Sequence, residues 1–187
     1  MLYSVIILAA VAVVSVFGWI VLPFTYLEAL FFTACATAAV VVLDALTASL
    51  SRSLPKKCVP EGAKIFKVGA KEKRFYERLK IRKWKDKVPE IGHFTGFRKN
   101  KIDAPKDPKY IDRFLLECRY GEVGHFFSCI VGFLIVIPLP FLPAYWWALA
   151  LPVAIVNAAM NLPSLFILRY NSYKLVILQK SLQKKEK

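Results

Sequence analysis

The sequence predicts an all-α membrane protein with four transmembrane helices in two hairpins and a basic cytoplasmic insert that carries an interfacial amphipathic helix. The first observation is that hydrophobic residues make up 57% of the 187 residues although the formal net charge is +14. The second is that all 27 lysines and arginines fall between Ser51 and Tyr120 or from Arg169 onward. A soluble domain averages roughly 45–50% apolar residues, and a disordered basic tail lacks apolar mass. The composition excludes both of these classes.

Four apolar stretches are long enough to cross a hydrocarbon core, which takes roughly 20 residues of helix. They cover residues 2–22, 26–50, 122–137 and 144–168, and the third reaches residue 142 when its proline-rich end is counted. Glu28 and Asp44 are the only charged residues in the second stretch, and we expect Pro152 and Pro163 to kink the fourth. Short turns at 23–25 and 138–143 pair the spans into hairpins. The chain then divides into a hairpin (1–50), a basic segment (51–120), a second hairpin (121–168) and a basic tail (169–187).

The basic residues also predict the orientation, because lysine and arginine are retained on the cytoplasmic side of a membrane. Four crossings put both basic stretches on that side, so we expect a multi-pass protein of the cell membrane with both termini in the cytoplasm. Aromatic residues flank the two outer turns, as an interfacial belt does. A signal peptide is the alternative for the first stretch, but it lacks a basic leading region and a small-residue cleavage site.

The basic middle segment carries 21 basic and nine acidic residues between positions 51 and 120. A helix over residues 71–85 would place Phe75, Leu79 and Ile81 on one apolar stripe against the anionic inner leaflet, ending at Pro89 and Gly92. A loop would follow, and helix would resume near residue 110. The charge serves topology and lipid adhesion in one interpretation. In another it captures a phosphate-rich ligand, such as an acyl carrier, coenzyme A or a lipid phosphate. No glycine-rich phosphate loop or helix-turn-helix pattern supports nucleic-acid binding.

A cluster of ionisable residues lies where the third span meets the cytoplasm. On a helix, Glu122 lies about 60° and Glu117 about 80° from His125, with Arg119 at the edge of the same sector. A carboxylate beside an imidazole orients it and raises its basicity, as a general base requires. The structural alternative is an interfacial histidine that satisfies a neighbour's hydrogen bond. The metal alternative uses Glu-x-x-His as a ligand pair, with His93 as a distant second histidine. The four cysteines form no C-x-x-C pair and indicate neither a disulfide framework nor a zinc site.

A second polar group lies in the fourth span. Asn157 and Asn161 are four residues apart and share a helix face, and Arg169-Tyr170-Asn171 follow toward the cytoplasm. Asp44 of the second span approaches the same end. Buried asparagines often join membrane helices, and Arg169 could be a plain interfacial anchor. In a catalytic interpretation, an asparagine donates to a developing oxyanion and an arginine holds a phosphate or carboxylate.

Three motifs in this order resemble the glycosyl-diaponeurosporenoate acyltransferase family, over roughly residues 75–175. They are Ile81-Arg-Lys-Trp84-Lys85-Asp-Lys-Val-Pro89, Glu117-x4-Glu122-x2-His125, and Asn161-x-Pro163 with Arg169-Tyr170-Asn171-x3-Leu175. The chain departs from the family pattern at Tyr120-Gly121, where that pattern has Arg-Ala, and at Leu168 and Ser172, where it has Gln and Arg. The resemblance implies a small membrane protein that adds a fatty acyl chain to the sugar of a glycosylated carotenoid. The departures bear on the substrate more than on the chemistry.

The resulting hypothesis is a membrane-embedded acyltransferase without a bound cofactor, using acyl-CoA or acyl carrier protein as the donor and a lipid or glycolipid hydroxyl as the acceptor. His125 would take the hydroxyl proton, Glu122 or Glu117 would orient it, and Asn161 would stabilise the oxyanion. The residues expected to bind substrate are Lys83, Trp84, Lys85, Arg119, Asn157, Arg169, Tyr170 and Asn171. A glycosyltransferase could work beside the enzyme. The rival hypotheses are a non-enzymatic module that binds anionic or polyprenyl lipid and a carboxylate-rich membrane metalloenzyme.

Overall fold

The computed structural model describes residues 2–88 and 102–185, and these residues are helical with no β-strand. The α-helices within these two ranges are α1 (Leu2–Val21), α2 (Tyr26–Ser53), α3 (Ala70–Arg78), α4 (Ile81–Trp84), α5 (Pro108–Val131) and α6 (Trp146–Lys185). A 3₁₀ segment, Gly132–Val136, extends α5. The all-α prediction is confirmed. His93 and the helix end expected at Pro89 and Gly92 lie outside the described residues.

Four of these helices are long and apolar enough to cross a bilayer, as the sequence predicts for a multi-pass membrane protein. The candidate spans are Tyr3–Val21, Tyr26–Ser53, Pro108–Val136 and Trp146–Lys184. Helix α2 begins with a capping box, in which the Glu28 carboxylate accepts from the backbone N–H and the hydroxyl of Thr25, both at 2.8 Å. Glu28 is therefore a helix-capping residue.

Helices α5 and α6, which contain the third and fourth candidate spans, are longer than their apolar stretches. Helix α5 begins at Pro108, close to the resumption expected near residue 110. Helix α6 continues through Pro152 and Pro163 and runs on to Lys185, so most of the basic tail is helical. Leu175, Leu178 and Leu182 explain this extension, because they pack in one cluster with buried residues of α5 such as Ile111 and Phe114.

The chain forms two compact units, of which the first contains residues 1–50 and 125–162. Its core includes Ala36 and Val40 of α2 and Ala150 and Ala154 of α6, and these small side chains let the helices pack closely. The indole N–H of Trp146 donates to the backbone carbonyl of Ile135 at 2.6 Å. Apolar side chains on the outer faces of α1 and α2 are exposed, as on a surface that contacts lipid.

The second unit contains residues 51–124 and 163–187. Here the helix expected over residues 71–85 is interrupted, because α3 ends at Arg78 and Lys80 adopts a left-handed conformation with φ of 53°. The turn brings Ile81 back onto the cluster that contains Tyr76, Ile167 and Tyr170.

Ile81 lies on a different side of this segment from Phe75 and Leu79. Tyr76 and Ile81 are buried, at 3% and 1% exposure, whereas Phe75 and Leu79 of the expected stripe are 46% and 39% exposed. The prediction of one continuous helix with Phe75, Leu79 and Ile81 on one stripe is wrong. Helical periodicity cannot anticipate the change of direction that a single left-handed residue introduces.

Candidate functional site

The imidazole of His125 meets the side-chain amide of Asn161 within the first unit. Nδ1 of His125 lies 2.8 Å from Oδ1 of Asn161, and Nδ2 of Asn161 lies 3.0 Å from a carboxylate oxygen of Asp44. A carboxylate only accepts hydrogen bonds, so the amide nitrogen faces Asp44 and the amide oxygen faces His125. Nδ1 of the imidazole therefore donates its hydrogen to Asn161. In the neutral ring the basic lone pair is then at Nε2.

A second amide supports the Asp44 carboxylate from the other oxygen. Nδ2 of Asn157 lies 3.3 Å from Oδ1 of Asp44 and 3.2 Å from the backbone carbonyl of Ser128. Nδ2 of Asn161 also donates to the backbone carbonyl and side-chain oxygen of Asn157, at 3.1 and 3.2 Å. The two asparagines, 9% and 8% exposed, thus hold Asp44 between them.

Gly132 is needed beside this cluster for steric reasons. A Cβ atom at position 132 would lie 2.6 Å from Nδ2 of Asn157 and 3.3 Å from a methyl group of Val40. Contacts this short are repulsive, so any side chain at position 132 would displace the amide. The close approach of backbone and amide depends on glycine here.

The arrangement resembles other histidine sites in which a polar group fixes the imidazole. An amide oxygen at Nδ1 selects the tautomer and the ring orientation, and a general base needs both. A structural role is also chemically reasonable, since asparagines join membrane helices. However, an ionisable group at span depth is costly, and here Asp44 and His125 are joined through one amide. This cluster of His125, Asn161, Asp44 and Asn157 is the candidate site.

Glu122, predicted to orient the histidine, has other partners in the second unit. Its carboxylate accepts from Nη1 of Arg169 at 3.0 Å and from the hydroxyl of Ser172 at 2.8 Å, and it is 3% exposed. Glu117, the alternative orienting residue, faces Arg52 at 3.5 Å and is partly exposed. Asn161 supplies the contact at Nδ1 that the sequence assigned to a carboxylate.

Arg169 is held by carboxylates of its own chain. Besides Glu122, it bonds Glu72 through Nε and Nη2, the latter at 3.0 Å, and Nη1 donates to the backbone carbonyl of Ile65 at 2.9 Å. The expectation that Arg169 holds a donor phosphate is therefore revised. Nothing in the sequence distinguished Glu72 from the other acids of the basic segment.

Glu72 and Tyr76 of α3 show the electrostatic effect of this contact. Burial alone would raise the pKa of Glu72, but the hydrogen bonds from Arg169 and Tyr76 and the charge of Arg169 outweigh it and lower the pKa below 4.5. The phenol of Tyr76 donates to Glu72 at 2.5 Å, and burial together with this hydrogen bond raises the pKa of Tyr76. The carboxylate of Glu72 is thus held in its charged form.

The remaining predicted substrate-binding residues are in the second unit. Tyr170 is buried against Tyr76, Asn171 is half-buried, and Lys83 is exposed. The indole N–H of Trp84 donates to the carbonyl of Leu79 at 2.9 Å, and Lys85 pairs with Asp86 at 2.8 Å. Arg119 lines a cleft of this unit. The predicted substrate-binding residues therefore do not form one group. Asn157 belongs to the candidate site, whereas the others lie around Arg169, in the α3–α4 segment or in the cleft.

Within the described ranges, no group of three or more histidine, cysteine, aspartate or glutamate side chains is arranged to hold a metal ion. His93, the distant ligand considered from the sequence, lies outside those ranges.

The fold and the candidate site define a class: an all-helical protein with four candidate membrane spans and a histidine positioned by an amide and a carboxylate. The chain belongs to the glycosyl-4,4′-diaponeurosporenoate acyltransferase family, whose sequence pattern matches residues 62–181. The match includes His125, Asn161 and Arg169 but not Asp44. Comparisons with curated proteins and with solved structures give no match. The family resemblance found from the three motifs is confirmed.

Proposed function

We propose that the chain is a membrane-embedded acyltransferase that moves a fatty acyl group from a cytoplasmic thioester to a hydroxyl of a lipid-linked sugar. Family membership supports acyl transfer, and the family name points to a glycosylated carotenoid as the acceptor. The observation that carries the proposal is the 2.8 Å contact between His125 and Asn161, backed by Asp44. It supplies a base with a defined tautomer.

In the proposed reaction, Nε2 of His125 removes the proton of the acceptor hydroxyl while its oxygen attacks the thioester carbonyl carbon. The carbon–oxygen bond forms and a tetrahedral intermediate results. When this intermediate collapses, the carbon–sulfur bond breaks and the thiolate takes the proton from the imidazolium. The products are an ester and a free thiol, so neither an oxidant nor a metal is needed to balance the step.

Asn161 acts as a positioning residue in this scheme. Its amide nitrogen already donates to Asp44 and Asn157, which argues against the oxyanion role expected from the sequence. The negative charge of Asp44 polarises the Asn161 amide, and this stabilises the imidazolium that forms during proton transfer. Asn157 holds Asp44 in place from the opposite side.

The membrane arrangement belongs to the same proposal. We place two hairpins in the cell membrane with both termini on its cytoplasmic side. The basic residues of positions 51–120 and 169–187 support this orientation. The acceptor reaches the site from the bilayer, where its lipid chain is soluble. A glycosyl transfer must precede the acyl transfer, so a glycosyltransferase is the expected neighbouring enzyme.

His125→Gln tests the function, because glutamine keeps a polar side chain but cannot accept the proton. We expect acyl transfer to glycosyl-4,4′-diaponeurosporenoate, followed by the mass gain of the product, to fall roughly 10²-fold or more. Membrane abundance of the variant should match the wild type on an immunoblot.

His93→Gln is the matched control, since it changes the only other histidine of the chain. It should keep wild-type acylation. Undiminished product from the His125 variant would eliminate His125 as the base.

A further inference from the structure

The second unit contains an open cleft of about 530 Å³ between α5 and the short helical turn Lys56–Cys58. Four basic side chains line it, from Lys56, Lys109, Arg113 and Arg119, together with two carboxylates, from Glu61 and Asp112. Small-molecule sites usually have volumes of about 300–1,000 Å³. The cleft is large enough for a cofactor-sized ligand, and its lining has an excess of positive charge.

The two carboxylates of the cleft are both bonded to one buried amide. Nε2 of Gln179 donates to Oε1 of Glu61 at 2.9 Å and to Oδ1 of Asp112 at 2.7 Å, and Gln179 is only 7% exposed. These contacts fix the carboxylates toward α6. These hydrogen bonds give both carboxylates of the lining a structural partner, but they do not involve its basic side chains.

Arg119 differs from Arg169 in its hydrogen-bond partners. The guanidinium of Arg169 is occupied by Glu72 and Glu122, whereas Nε of Arg119 is buried and has no hydrogen-bond partner within residues 2–88 and 102–185. A buried donor without an acceptor costs free energy, and Arg119 is also one of the residues that line the cleft. Arginine donors match the paired oxygens of a phosphate.

From this cleft we infer that the chain binds the phosphate groups of its acyl donor there, and that the donor is a thioester of the coenzyme A type. The inference rests on the proposed acyltransferase function. Four cations facing one cleft match a ligand with several phosphates better than the single phosphate of a lipid headgroup. Donor recognition is thereby assigned to Arg119 and its neighbours, and no longer to Arg169, Lys83 and Lys85.

The test measures binding of coenzyme A itself to the purified full-length protein in lipid nanodiscs, by calorimetry. Arg119→Gln and, because that variant removes a partly buried side chain, the exposed Arg113→Gln should each weaken binding about tenfold or more. Pantetheine, which has no phosphate, should not bind measurably. Lys57→Gln is the matched control, because it also removes one positive charge. Lys57 is exposed and does not line the cleft.

Equal coenzyme A affinity in the Arg119, Arg113 and Lys57 variants would overturn the inference. So would the absence of coenzyme A binding in a protein that binds phosphatidylglycerol vesicles through the same arginines. His125→Gln should bind coenzyme A with wild-type affinity, which separates the two proposals. Retained acylation in that variant contradicts only the catalytic base, and lost coenzyme A binding in the arginine variants concerns only the cleft.

Discussion

A carboxylate within an apolar helix is costly unless polar groups surround it, and Asp44 meets this condition with two amides. Asn157 and Asn161 each donate to one of its oxygens, at 3.3 and 3.0 Å. The sequence indicated that these residues approach the same end of their spans. It could not show that Asn161 turns its oxygen to His125, because amide orientation depends on which acceptor the nitrogen meets.

Asp44→Asn is the most direct test of this chain of contacts. Asparagine keeps the size of the side chain but removes the charge and adds N–H donors. The amide nitrogen of Asn161 is then no longer held toward position 44 by a carboxylate. We expect kcat to fall roughly 10²-fold or more with a smaller change in KM, because a positioning residue acts on the reaction step.

Glu28→Gln is the control for the Asp44 variant, since it removes the other carboxylate of α2. Glutamine also serves in a capping box, so this variant should retain wild-type kcat. Equal activity of both variants, measured in the same membranes, would show that Asp44 takes no part in positioning the imidazole.

At the scale of elements, α3 is attached to α6 by packing and by charge. Tyr76 lies in one cluster with Ile167 and Tyr170, and Glu72 bonds Arg169. The sequence predicted a helix here and correctly indicated an amphipathic segment. It did not show that Ile81 leaves the stripe of Phe75 and Leu79 or that Glu72 bonds Arg169, because the left-handed Lys80 redirects the chain and the partner of Glu72 is about a hundred residues away.

The pKa of Glu72 predicts how the attachment of α3 depends on pH. Its folded-state pKa lies below the ordinary value of 4.5, so its contribution to stability is present above that value and is lost as the pH falls through the folded-state pKa. We expect hydrogen-exchange protection of α3 to fall as the pH drops below about 4.5, after correction for intrinsic exchange rates.

Glu72→Gln should lose most of this pH dependence, because the variant no longer offers Arg169 a carboxylate at this position. Glu77→Gln on the same helix is the matched control, because Glu77 forms an exposed i,i+4 pair with Lys73 at 3.1 Å. Its α3 should respond to pH as the wild type does. An identical response in the Glu72 variant would refute the assignment.

On the scale of the whole molecule, the distribution of charge is the dominant feature. Residues 1–51 and 120–168 contain no lysine or arginine, and the four candidate spans coincide largely with these stretches. The structure extends the helices beyond the apolar stretches into basic sequence. Helices α5 and α6 are therefore longer than a hydrocarbon core of about 30 Å requires.

The charge distribution predicts that both termini face the cytoplasm. Green fluorescent protein fused to either end should fluoresce, alkaline phosphatase fused to either end should be inactive, and phosphatase fused after Phe24 or Phe141 should be active. The fusions after these two turn positions serve as internal positive controls. Active phosphatase at one terminus alone would mean an odd number of crossings and a different topology.

The sequence by itself determined the helical class, the four candidate spans and the family, because hydrophobic length, charge segregation and motif order are local properties of the chain. Only the tertiary structure decided the partners: Asn161 for His125, Asp44 for Asn161, and two carboxylates for Arg169. The residues of these pairs are separated by between 36 and 117 positions. Such contacts depend on how helices pack and rotate, and helical periodicity gives the face of one helix but not the residue that meets it.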